Sequence, residues 1–300
     1  MRTQFADVGE VTLAYETFGD RQHPPVVMIM GLGAQMIVWP EELCRALAEA
    51  GHFVVRFDNR DAGESTHMHA AGMPDLRACL EGDASSASYD LVAMAADTIG
   101  LLDALGIESA HLVGASMGGM IAQTAAARHP ERVRSLTSIM STTGERSVSQ
   151  STPEAAAVLT EPAARSREEA VERAPRLARV IGSPGFPLDE DAVRARAGLS
   201  WDRGVDPPGF ARQFAAIVAS GDRTEMLRSL RVPALVFHGE DDPLLPVAGG
   251  RATAAAIEGA ELITVPGMGH DLPRAVWPRL VDAIGALVAR AESERVPAAT

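Results

Sequence analysis

The feature that most constrains this chain is a recurring pair: a short, unbroken apolar run followed by a stretch of helical periodicity. Val26-Val27-Met28-Ile29-Met30 lies between Pro24-Pro25 and Gly31, Glu41 to Ala50 has helical spacing, and Phe53-Val54-Val55-Arg56-Phe57 then stops at Asp58-Asn59. A run that is apolar almost throughout suits a strand buried on both faces, and strand, helix, strand implies a parallel pair. The rhythm continues through Leu91–Leu105 (helix), His111–Ala115 (strand), Met117–His129 (helix) and Val133–Met140 (strand). It resumes with Ala234–His238, Ala248–Ile257, Glu261–Val265 and a last helix over Val276–Ala291. The prediction is an α/β fold with a mostly parallel central sheet and helices on both faces.

Three stretches depart from that rhythm. Val11 to Glu16 alternates and predicts an early half-buried strand. Gly63 to Ser88 is rich in Gly, Ala, Ser and His without a sustained period, so it reads as a long excursion. Residues 144–228 are helical, rich in Ala, Arg and Glu and interrupted by prolines, which predicts a helical cap inserted between core parts 1–143 and 229–300. The end, Ser293 to Thr300, reads as frayed.

Composition narrows the function. A formal charge of −13 repels phosphate backbones and anionic headgroups, so neither nucleic acid nor a membrane surface is an expected partner. All 27 basic residues are arginine, which excludes a catalytic Schiff-base lysine, a P-loop lysine and a Ser-x-x-Lys nucleophile. Cys44 and Cys79, placed in a helix and in an exposed excursion, are too few for a structural zinc site. Met1 to Val8 shows no basic-then-apolar leader and no run approaches a membrane span, which makes a cytoplasmic location the expectation.

The chemistry concentrates at strand ends. Gly114-Ala115-Ser116-Met117-Gly118 directly follows an apolar strand and precedes a helix, the context in which a strained turn presents a nucleophilic serine. Serine needs a general base to take its proton and return it to the leaving group. His270, in the loop Pro266–Asp271 after the last strand, can reach across the carboxyl edge of the sheet. The remaining histidines, at positions 23, 52, 67, 69, 111, 129 and 238, fit solvated loops or element ends. Glu240, Asp241 and Asp242 each offer an orienting carboxylate after the penultimate strand. The amides of Leu32 and Met117 are the candidate oxyanion donors, a role whose loss costs about a hundred- to a thousandfold in rate.

Together Met30-Gly31, Phe57 to Ser65, Gly114 to Gly119, Gly239 to Pro246 and Gly267 to His270 resemble the α/β-hydrolase superfamily. Within it the chain resembles aclacinomycin methylesterase-type and cofactor-free haloperoxidase-type serine esterases. The resemblance selects Asp242, three residues after Gly239 and just before Pro243, and gives the chain order Ser116, Asp242, His270 expected of that superfamily. It implies hydrolysis of a small-molecule carboxylic ester, such as a methyl ester on a polyketide-like natural product, through an acyl-enzyme on Ser116, with no cofactor and no metal. The alternatives are perhydrolysis, C–C bond hydrolysis and ligand binding without turnover; Met30-Gly31 in place of His-Gly argues against C–C cleavage. Asp58, Arg60 and Asp61 are expected to hold a structural turn. Met36 and Met268 are the expected substrate contacts, with Met117 beside them as a further wall residue.

Overall fold

The computed structural model describes residues 2–295. Its eight strands, β1 (Gln4–Asp7), β2 (Thr12–Phe18), β3 (Pro25–Ile29), β4 (Phe53–Phe57), β5 (Ala110–Ala115), β6 (Val133–Ile139), β7 (Ala234–Gly239) and β8 (Glu261–Val265), form one sheet. The order across it is β1-β2-β4-β3-β5-β6-β7-β8. β1 and β2 are antiparallel to each other and β2 to β4, while every pair from β4 to β8 is parallel. The unbroken apolar runs are therefore the parallel strands, and the alternating run is the antiparallel one. The short β1, with Phe5 more than half exposed, carried too little pattern to be anticipated.

Helices α1 (Glu41–Glu49), α3 (Leu91–Ala104), α4 (Met117–Arg128), α10 (Val247–Ala256) and α11 (Trp277–Arg295) supply the crossovers and flanks. Two apolar clusters result, one on each face of the sheet. Val27, Ile29, Leu112 and Leu136 pack with Met94, Leu101 and Ile121 from α3 and α4. Val26, Met28, Val113 and Phe237 pack with Leu43, Leu47, Leu280 and Ile284 from α1 and α11. A strand whose successive side chains enter opposite clusters must be apolar at every position, which is the pattern read from Val26 to Met30.

The excursion after Gly63 holds a helix, α2 (Leu76–Glu81), capped by the Asp75 carboxylate and ended by Gly82 in the left-handed conformation. Cys79 is buried within it, not exposed as its surroundings suggested; Cys44 is buried too, and burial pushes its thiol up to about 12, away from the reactive thiolate. Between β6 and β7 stand α5 (Pro153–Leu159), α6 (Arg167–Ile181), α7 (Glu190–Arg203), α8 (Pro207–Ser220) and α9 (Thr224–Arg228). At the other end α11 continues to Arg295, so helix covers the first part of the segment expected to fray; residues 296–300 lie outside the described residues. Among the described residues, no helix is long and apolar enough to cross a membrane.

Candidate active site

The carboxyl ends of β3, β4, β5, β7 and β8 share one edge of the sheet, where open α/β sheets place their ligands. At the centre of that edge the chain turns from β5 into α4 through Ser116, whose φ of 56° and ψ of −121° are unfavourable for any L-residue. The neighbours enforce this conformation. A Cβ on Gly114 would stand 2.1 Å from the Gly118 carbonyl oxygen, and a Cβ on Gly118 would stand 2.1 Å from that of Ile29. Only glycines let strand, turn and helix approach this closely. Ser116 N–H donates to Ile139 O at 2.9 Å and its carbonyl accepts from Ser141 Oγ at 2.8 Å, so the strained turn is held from β6 as well. From Ala110 to Ala126 every residue but Ser116 is buried, which makes Ser116 the one opening in that stretch.

His270 and Asp242 meet at the same edge, in the loops that follow β8 and β7. His270 Nδ1 lies 2.7 Å from Asp242 Oδ2, and the other carboxylate oxygen, Oδ1, accepts from the amides of Leu244 and Leu245 at 2.9 Å each. With Nδ1 carrying the proton, Asp242 fixes both the tautomer and the ring orientation and leaves Nε2 as the basic atom. Asp241 and Glu240 are engaged elsewhere, with Gly267 N–H and with the Thr264 hydroxyl, both at 2.7 Å. Among the described residues no hydrogen bond joins Ser116 Oγ to His270 Nε2, a contact that in free enzymes often tightens only when substrate is bound.

Gly31 bears on the serine from the other side: a Cβ there would lie 3.0 Å from Ser116 Cβ and 3.5 Å from Oγ. Leu32 therefore begins the loop next to the nucleophile, and among the described residues its N–H has no protein acceptor. The following amide, of Gly33, donates to Gln213 Oε1 at 2.7 Å, while Gln213 Nε2 donates to Arg60 O at 2.7 Å. A glutamine of α8, 180 residues away in sequence, thus sets the loop's path. No local pattern announces such a contact.

Several expectations change. Met36, Met117 and Met268 have no exposed side-chain surface; Met117 and Met268 belong to the two core clusters, so in this arrangement all three pack the interior and give no wall area to a ligand. The physical reason is that the methionines follow strand and loop ends inward, where flexible thioethers fill gaps. His238 does not sit at a solvated end: it is fully buried on β7, its Nε2 is 2.8 Å from Leu245 O and 3.6 Å from Asp242 Oδ2, and burial lowers its pKa. His52 and His111 are buried as well, and His67 Nδ1 is 2.9 Å from Asp206 Oδ2.

The Asp58 to Ser65 turn, expected to be structural, is held by bonds within itself and by residues far along the chain. Asp58 accepts from Met36 N–H at 2.6 Å, from Glu64 N–H at 3.0 Å and from Arg203. Burial raises its pKa against the pull of that guanidinium. Arg60 pairs with Asp97 at 2.6 and 2.7 Å, and Arg212 of α8 pairs with Asp61 at 2.6 and 2.9 Å.

Comparison with known proteins agrees with the fold. Residues 24–273 match the family model described as alpha/beta hydrolase fold. The chain is 31% identical over 306 residues to rhodomycin D methylesterase from Streptomyces sp. (strain C5), covering 95% of this chain and 97% of that protein. It is 26% identical to the bifunctional esterase/perhydrolase of Acinetobacter calcoaceticus, over 88% of this chain and 91% of the relative. Among solved structures, the enol-lactonase from Burkholderia xenovorans LB400 superposes with a TM-score of 0.70 at 25% identity, covering 97% of this chain and 100% of that one. The chain belongs to the alpha/beta hydrolase fold family.

Proposed function

We propose that this protein is a serine esterase that cleaves a carboxylic ester, a methyl ester on a sizeable apolar natural product being the favoured substrate. Ser116 is the nucleophile, His270 the general base and acid, and Asp242 the group that orients it. The observation that carries this reading is the 2.7 Å His270–Asp242 contact, made at the same sheet edge as a strained, partly open serine turn. In the proposed reaction His270 Nε2 takes the Ser116 proton as Oγ attacks the ester carbonyl. The oxyanion is bound by the amides of Leu32 and Met117, the latter at the N-terminus of α4. His270 then returns the proton to the departing alcohol, and water repeats the sequence on the acyl-enzyme. The methyl ester choice rests on the similarity to the rhodomycin D methylesterases. Segment 144–228 is proposed as the cap over this edge, with α8 lying against the oxyanion loop through Gln213 and through Phe210, which packs on Gly33.

The test is product analysis with a panel of methyl esters, from short aliphatic acids to aromatic polyketide acids, assayed without metal or halide and followed by methanol release. The account expects release that rises with the apolar bulk of the acyl part. Methanol release from none of them, with hydrogen peroxide and acetate instead producing peracid, would move the assignment to perhydrolysis.

A further inference from the structure

We propose that Ser183 and Asp271 form a latch by which the helical insertion positions the catalytic base, so that the 181–185 connection between α6 and α7 belongs to the machinery of turnover. The inference rests on the reading of His270 as that base. The loop that carries His270 is fastened to Asp241 at Gly267 and Met268 and to this connection at Gly267, Gly269 and His270. His270 N–H donates to Ile181 O at 2.7 Å, Gly269 N–H to Ser183 Oγ at 2.9 Å, and Gly185 N–H to Gly267 O at 2.8 Å. The Ser183 hydroxyl in turn donates to Asp271 Oδ1. Ser183 is therefore the shared atom of the network: one oxygen accepts from the residue before the histidine and donates to the residue after it.

The two segments are shaped for this contact. A Cβ on Gly269 would stand 2.0 Å from Gly182 O, and one on Gly185 would stand 2.5 Å from Gly267 Cα, so the backbones approach as closely as glycine permits. Burial raises the pKa of Asp271, against the favourable pull of Ser183, Arg196 and His270, while Asp242 works with burial. A half-buried carboxyl group next to the base has little reason to be there unless its hydrogen bond is used. Asp242 fixes the imidazole by its Nδ1 proton; the backbone before it is held by Asp241 at Gly267 and Met268, and at Gly269 and His270 themselves the holding bonds come from the insertion. Displacement of the connection removes the supports on both sides of His270 at once, and a shift of about 1 Å at a catalytic group is enough for roughly a hundredfold in rate. The base is then fully placed only when the insertion is docked.

The experiment compares Ser183→Ala, Asp271→Ala, their double variant and Asp271→Asn, which keeps an oxygen acceptor for the Ser183 hydroxyl. Steady-state kinetics use p-nitrophenyl butyrate, with His270→Ala as reference. The expected result is a fall in kcat of about ten- to a hundredfold in each alanine variant with KM within about threefold of wild type. The double variant should be no worse than the more damaged single one, and Asp271→Asn should recover most of the rate. Alanine variants within twofold of wild type, losses that multiply in the double variant, or no recovery in Asp271→Asn would overturn the latch while leaving the triad standing. Full turnover by His270→Ala would instead remove the base assignment and the latch with it.

Discussion

At the residue scale, the site depends on what is missing as much as on what is present. Ser116 stays in a strained conformation because β3, β5 and α4 close around it, and that closure tolerates no side chain at Gly114 or Gly118. Gly118→Ala forces its methyl group into the Ile29 carbonyl, a rigid backbone atom that cannot move aside without shifting β3. Overpacking of this kind costs about 1–3 kcal/mol, so thermal unfolding of that variant should begin several degrees lower and its esterase rate should fall with it. A variant of unchanged melting temperature and rate would show that the turn is looser than the geometry requires. Ser116 and Gly114–Gly118 were legible because sequence-local chemistry dictates them: apolar strand, small residues, helix. Asp242 was legible among three neighbouring carboxylates only through the family resemblance, and the structure distinguishes it by the paired amides of Leu244 and Leu245.

At the scale of elements, the helical insertion is tied to the sheet edge by arginines that look dispensable in sequence. Arg173, Arg176, Arg179 and Arg194 pair with glutamates on exposed faces, and such pairs contribute little. Arg212 is different, because it is buried and holds Asp61, Asp206 and the Gly72 carbonyl. Arg212→Met leaves Asp61 buried without its guanidinium, although Tyr89 Oη and Met68 N–H still donate to it at 2.7 Å each. Removing one partner of a buried pair costs about 3–5 kcal/mol, and chemical denaturation should show an unfolding free energy lowered by that amount, with the midpoint lowered accordingly. A loss below about 1 kcal/mol would mean that the two hydrogen bonds suffice. The parallel strands and their helices were readable from periodicity, since each buried run records its own environment. The contacts of Gln213, Arg203 and Arg212 with the edge loops were not, because they join segments more than 140 residues apart and leave no local period. The expected methionine wall failed for a related reason: sequence proximity to the site does not say which way a side chain turns.

At the scale of the whole molecule, buried imidazoles make stability depend on pH. His52 and His238 have lowered pKa values because of burial, and His111 is brought down to about 4, by burial first and by Arg134 and His52 next, against the pull of Glu292. Each is neutral in the fold and binds a proton more readily when unfolded. Stability is therefore full above the ordinary value of 6.5 and declines as pH falls from there toward 4. Burial raises Asp58, Asp97 and Asp271, which act in the opposite sense from their ordinary value of 3.8 upward, so the histidine effect is clearest between about pH 7 and 5.5. Melting temperature should fall across that window, and His111→Gln should flatten the slope; a flat wild-type profile would contradict the account. The central claim, that the edge of this sheet is a serine nucleophile site, is tested most directly by stoichiometric labelling with a fluorophosphonate alongside the p-nitrophenyl ester burst, in the wild type, Ser116→Ala and His270→Ala. The account predicts one label and one burst equivalent per chain in the wild type, none in Ser116→Ala, and labelling slowed by about three orders of magnitude or more in His270→Ala. Labelling that persists in Ser116→Ala, or a wild type that neither labels nor bursts, would contradict it.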